Sequence, residues 1–160
     1  MPSDLRNEIK QTKPFSSTEA EAHLNIERTA AVLGHAFAEQ LKPYGVTSTQ
    51  YNVLRILRGA GGDGLCRNEI RDRLVAQVPD VTRLLDRLEA SGLIERKRST
   101  TDRRLVSTQI TAAGLALLDR LDQPVVEMHH KLLGHLTEDQ LQSLIGLLAL
   151  ARDGVIKSNG

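Results

Sequence analysis

Residues 77–111, QVPDVTRLLDRLEASGLIERKRSTTDRRLVSTQIT, leave the chain few ways to fold. Pro79 has no N–H and a fixed φ, which suits it to the first position of a helix. Val81, Leu84, Leu85 and Leu88 then recur at helical spacing and define the face that packs on a core. Asp80, Arg83, Asp86 and Arg87 fall largely outside that face, and Gly92 supplies the left-handed residue that ends the helix. A helix buried on one side and carrying arginines on the other is built to meet a partner.

Residues 93–98 (LIERKR) and 104–110 (RLVSTQI) read as two strands around a polar turn at 99–103. A helix, a sharp stop and a hairpin with an arginine-rich tip follow one another as in a winged helix-turn-helix. There the helix enters a DNA major groove and the hairpin lies over the neighbouring backbone. Residues 96–104 hold five basic side chains and one acidic one, a formal charge of +4, whereas the whole chain carries +1. Charge concentrated in this way points to an oriented contact with phosphate; a uniformly basic chain would coat any polyanion.

The rest of the chain fits a small helical regulator. Its 160 residues are 40% hydrophobic, enough for one core with an oligomerisation arm, and only 2% aromatic, with Leu and Ala dominating. That balance favours helices over a β-sandwich. No apolar run approaches the length of a membrane span and no secretory leader is visible, so a cytoplasmic protein with no membrane partner is expected. The single cysteine, Cys66, cannot form an intramolecular disulfide and suits a reducing compartment.

Along the chain, residues 1–15 are polar, contain Pro2 and Pro14, and lack periodicity, as in a mobile tail. Ser16 with Glu19 forms a capping box before a long helix with Ile26, Ala30, Leu33, Phe37 and Leu41 on one face, stopped by Pro43. Thr47 with Gln50 forms a second box, stapled by Val46 and Tyr51, before Val53, Leu54 and Leu57. The glycines of 59–64 (GAGGDG) are not followed by a Lys-Ser/Thr pair, so they mark a turn and not a phosphate loop. Leu65 and Cys66 add a short strand beside the hairpin, and residues 68–74 form the first helix of the helix-turn-helix.

Thr111 caps a long helix that continues past Pro124 towards Leu132 and Leu133. A third box, Thr137 with Gln140, opens a last helix whose Leu144, Ile145, Leu147, Leu148 and Leu150 cover more of its circumference than one neighbour can bury. A subunit interface is the natural place for that excess, so the sequence predicts a homodimer. Two-fold-related recognition helices roughly 34 Å apart would read an inverted repeat in double-stranded DNA. The fold class expected is mainly α with a small β-wing. A winged helix-turn-helix at 44–110 is flanked by a helical dimerisation region at 16–43 and 111–153, after the tail at 1–15.

At VTRLLDRLEASGLIER (81–96), DRR (102–104) with the following ITAAG (110–114), and TSTQYNVL (47–54), the chain resembles the MarR family of bacterial transcriptional regulators, over roughly residues 16–153. The resemblance implies an obligate dimer, a winged helix between dimerisation helices, and repression relieved by a small ligand, oxidation or a metal. Carried over residue by residue, it places DNA contacts on Thr82, Arg83 and Arg87 of the helix and on Asp102, Arg103 and Arg104 of the wing. Pro79, Asp80 and Arg98 flank these and complete the candidate interface. Asp102 is expected to brace Arg104 by a charge-assisted hydrogen bond, leaving Arg103 to enter a narrow minor groove. Val78-Pro79-Asp80 departs from the small hydroxyl residues common in the family at this point. Asp80 there suits the helix N-terminus, or a cytosine amino group, better than a phosphate.

For an effector, the resemblance points to a cleft between the dimerisation helices and the winged domain that takes anionic aromatic molecules. His35, Phe37, Tyr44, Tyr51 and Arg55 are the side chains here that could line it. Cys66 reads as a small buried hydrophobe and not as a redox sensor. Five histidines, His23, His35, His129, His130 and His135, raise a metal-responsive regulator as an alternative, although adjacent residues on a helix point about 100° apart. No cofactor is implied. A winged helix used only for protein contacts also stays open, and it would carry apolar residues in place of the wing arginines. No serine lies in a G-x-S-x-G elbow and Cys66 has no recognisable histidine partner, so the sequence reads as a non-enzyme.

Overall fold

The computed structural model describes residues 4–102 and 104–158. Among the described residues seven α-helices and two strands follow one another as α1 (Leu5–Glu8), α2 (Thr18–Leu41), α3 (Ser48–Ala60), α4 (Arg67–Arg73), α5 (Val81–Ala90), β1 (Ile94–Arg98), β2 (Val106–Ile110), α6 (Ala112–Leu133) and α7 (Glu138–Ser158), with a 3-10 turn at Lys42–Tyr44 between α2 and α3. The chain divides into two units at Arg120 and Leu121, and each is described on its own. Among the described residues no helix is long and apolar enough to cross a membrane.

Local chemistry sets most of the helix ends. Thr47 and Gln50 make the reciprocal box at α3: the Gln50 N–H donates to Thr47 Oγ1 at 3.2 Å and the Thr47 N–H to Gln50 Oε1 at 3.0 Å. Thr137 and Gln140 repeat this at α7, at 3.2 and 2.9 Å. The long helix α2 is capped by Ser17 and not by Ser16: the Ser17 hydroxyl accepts from the Ala20 N–H at 3.1 Å, and the expected box with Glu19 is absent because the register moves by one. Residues 4–8 are helical, whereas the composition of 1–15 suggests a mobile tail. The Asp4 carboxylate caps α1 through the Arg6 N–H, and Leu5 is buried.

In the first unit, Leu41, Val53, Leu54, Leu57, Ile70, Leu85, Leu88, Ile94 and Leu118 form the core, each almost entirely removed from solvent. α5 contributes Val81, Leu85 and Leu88 with Leu84 half-buried, the face its periodicity predicts. Gly92, at φ 75°, ends it. β1 and β2 pair antiparallel, from Ile94 opposite Ile110 to Arg98 opposite Val106. Of the expected 65–66 strand, only Leu65 pairs: its N–H donates to the Thr108 carbonyl at 3.0 Å and its carbonyl accepts from the Thr108 N–H at 2.8 Å. Cys66 instead precedes α4, and its N–H donates to Glu69 Oε2 at 2.8 Å. That bond holds the Glu69 carboxyl below the usual range. The hairpin base is fastened further by Ser107 Oγ donating to the Asp63 carbonyl at 2.7 Å and Thr111 Oγ1 to the Gly92 carbonyl at 2.7 Å.

In the second unit, Leu121, Val125 and Met128 are buried along α6, one helical turn apart. Pro124 is accommodated within α6. α7 leaves Ile145, Leu147, Leu150 and Ile156 largely exposed.

Candidate nucleic-acid interface

α5 shows solvent a side made of Thr82, Arg83, Asp86 and Arg87, opposite its buried Val81, Leu85 and Leu88. Its entrance differs from the sequence expectation. Pro79 lies outside the helix, which begins at Val81, and Asp80 is the capping residue: its Oδ1 accepts from the Arg83 N–H at 2.9 Å. The physical reason is that an aspartate reaching three residues forward satisfies a first-turn N–H, which a proline at the first helical position can only omit. Pro79 is exposed one residue before the cap. Asp80 is thereby partly committed to the backbone and is less available to a base edge.

Thr82 is also engaged, since Arg67 at the start of α4 donates to its hydroxyl through Nη1 at 3.0 Å. Arg67, Thr82, Arg96, Arg104 and Cys66 line a cavity of about 360 Å3 beneath the hairpin.

The five cations of 96–104 are not equivalent. Arg96 turns back onto α5, its Nη2 lying 2.6 Å from Asp86 Oδ1 and 2.9 Å from Glu89 Oε1, with its side chain 24% exposed. Its own N–H donates to Glu89 Oε2 at 3.0 Å. The hydrogen bond from the Arg96 side chain lowers the Glu89 pKa, and those from Glu89 and Asp86 raise that of Arg96. Lys97 pairs with Glu95 at 2.8 Å. Arg98 and Arg104 are exposed at the hairpin's outer end. Among the described residues, no hydrogen bond or ion pair engages the guanidinium groups of Arg83, Arg87, Arg98 or Arg104. Arg103 lies outside the described residues.

The predicted hydrogen bond from Arg104 to Asp102 is present, made by the Arg104 backbone N–H and not by its guanidinium, so that it closes a turn. Asp102 Oδ1 accepts from the Arg104 backbone N–H at 3.0 Å, while the Asp102 N–H donates to Ser99 Oγ at 3.3 Å. A carboxylate two residues before an N–H closes a local ring with less entropy loss than ordering a long arginine side chain. Asp102 thus shapes the tip.

The Arg96 fastening was missed from sequence. Its signal was two acids, Asp86 and Glu89, on the free side of a helix followed at once by a basic strand, a pattern that α5 alone presents as surface charge.

The expected effector residues are only partly brought together. Phe37 and Tyr51 meet edge to face with ring centroids 6.0 Å apart, and Arg55 Nη1 donates to the Tyr51 hydroxyl at 3.1 Å from one turn further along α3. Tyr51 is buried, Phe37 and Tyr44 are half-buried, and His35 and Arg55 are exposed. Among the described residues no group of three or more histidine, cysteine or acidic side chains could hold a metal ion.

Residues 44–105 match the sequence model of the MarR family. The multiple antibiotic resistance protein MarR of Salmonella typhimurium is 35% identical over 109 residues, covering 68% of this chain and 74% of that protein. A MarR transcription factor from Planctomyces limnophilus superposes with a TM-score of 0.65 at 40% identity, over 86% of this chain and 99% of the other. A mutant MarR from E. coli, crystallised with operator DNA, gives a TM-score of 0.76 at 29% identity, over 93% of this chain and 99% of that one.

Proposed function

The chain belongs to the MarR family of winged-helix transcriptional regulators, and from that premise we propose that it binds an inverted-repeat operator as a homodimer and represses transcription until a small ligand releases it. The family's members are regulators and not enzymes. One observation carries the reading. The guanidinium groups of Arg83 and Arg87 on α5, and of Arg98 and Arg104 on the hairpin, stand exposed and uncommitted to other described residues. A recognition helix that keeps its cations unpaired, while the neighbouring Arg96 is spent on structure, is suited to phosphate and guanine edges. The E. coli relative that superposes on this chain was crystallised with operator DNA, which supports a DNA-binding role. Arg103, at the hairpin tip in sequence, joins these residues in the proposal.

Pairing of two subunits covers Ile145, Leu147 and Leu150 of α7, which would otherwise leave a row of large apolar side chains in water. The dimer reads one half-site per subunit and gains affinity from the second contact without a new type of contact. An effector that favours a dimer with wrongly spaced α5 helices releases the operator, by no more than its preference for that state. The Phe37, Tyr51 and Arg55 group offers an aromatic wall and one cation to a phenolic acid, whose carboxylate exchanges for the Tyr51 hydroxyl at Arg55.

The test is a gel shift against the DNA upstream of the protein's own coding sequence, with and without added phenolic acids. Retardation that survives excess random DNA and weakens with one of the acids is expected. Binding no tighter than to random duplex would overturn the assignment.

A further inference from the structure

The turn between α4 and α5 has a composition that turns usually avoid. Residues 74–79 read Leu-Val-Ala-Gln-Val-Pro, where glycine, asparagine, aspartate and serine are the ordinary choices. Val75 is 92% exposed, the extreme among the large apolar side chains of the described residues, and Ala76 and Pro79 are exposed beside it. Mobility does not explain this exposure. The Val75 N–H donates to Asn52 Oδ1 of α3 at 2.9 Å, which ties the turn's backbone to the core and leaves the isopropyl group outward. A single exposed valine would need no explanation, but an apolar turn interrupted only by Gln77 and fastened to the core does.

Its place indicates what covers it. The turn leads directly into the capped start of α5, the end of a recognition helix that meets base edges. Across residues 71–83 the exposed Arg71, Arg73 and Arg83 outnumber the exposed Asp72 and Asp80, so the edge is net positive while the crest itself carries no charge. In a major groove the uncharged, apolar feature available to such a crest is the C5-methyl group of thymine. One Asp80 oxygen is already taken by the Arg83 N–H, which leaves that carboxylate less free to read a base edge.

We propose that the α4–α5 turn, with Val75 at its crest, reads thymine methyl groups in the major groove beside the bases met by α5. This specificity rests on the DNA-binding function proposed above. Burial of one methyl group corresponds to about a fourfold change in affinity.

The experiment selects a preferred duplex from a randomised pool and from the upstream DNA. Each thymine is then replaced by deoxyuridine, which removes the methyl and leaves every hydrogen-bonding edge intact. Wild-type protein should lose about fourfold in affinity at one thymine position per half-site. V75S, altered where the side chain is already in water and so still folded, should bind the thymine and deoxyuridine duplexes equally. A preferred duplex that is indifferent to methyl loss at every position, or a V75S protein that keeps the full discrimination, overturns this inference while leaving DNA binding intact. Failure to select any preferred duplex overturns the DNA-binding function, and this inference with it.

Discussion

Replacing Gly64 by alanine should destabilise the protein by about 3 kcal/mol, and the structure supplies each part of that figure. Gly64 has φ 69°, where an L side chain costs roughly 1 kcal/mol through its Cβ. The added carbon would also fall against the Thr108 carbonyl oxygen and Ser107 Oγ, far inside contact distance. That carbonyl accepts the Leu65 N–H, so relieving the clash opens the reciprocal Leu65–Thr108 pair, two backbone hydrogen bonds worth about 1 kcal/mol each. Gly45 separates the two effects, since it has φ 73° with nothing within 4 Å of an added Cβ. G45A should therefore cost only about 1 kcal/mol. Gly62, with open space and no positive φ, is the blank. Urea unfolding of the three variants gives the ranking, and G64A should also melt roughly 10 °C lower. A G64A stability within about 0.5 kcal/mol of G45A would refute the claim that the hairpin base is held through this close approach.

Three further outcomes are expected. R104A should weaken binding to all duplexes alike and reduce the salt slope by about one, whereas R83A should cost about 1–3 kcal/mol and relax preference at one base pair, both measured by titration at several salt concentrations. R96M should be less stable than wild type by about 1 kcal/mol at neutral pH, after allowance for the exposure of its partners. Because Glu89 is held below its ordinary value, its contribution is complete above about pH 4.3 and is lost as pH falls through the lowered value, so this deficit should shrink in acid denaturation profiles. The pair L147E and L150E together should give a monomer by light scattering and abolish operator retardation.

What could be read in advance was local. Thr47 with Gln50 and Thr137 with Gln140 are bonds between residues three apart, and Val81, Leu85 and Leu88 announce their buried face by spacing alone. Errors of one or two residues arose where neighbours compete for one role. Ser16 and Ser17 offer the same hydroxyl, and Pro79 and Asp80 are both good beginnings, so only the fitted backbone decides. The candidate interface was legible as a set of cations but not as a division of labour. Arg96 is distinguished from Arg98 and Arg104 by carboxylates seven and ten positions away, and the Leu65–Thr108 bridge joins residues still further apart. Such pairings follow from how α5 and the hairpin come together, which no periodicity encodes.

The fastening of Arg96 to both Asp86 and Glu89 has a mechanical meaning. α5 and the hairpin share one rivet, so a swing of either one alone would strip a guanidinium from two carboxylates. A push on either piece is transmitted to the other as a rigid turn. On the proposed function, helix and wing of one subunit would therefore leave DNA together and not one after the other.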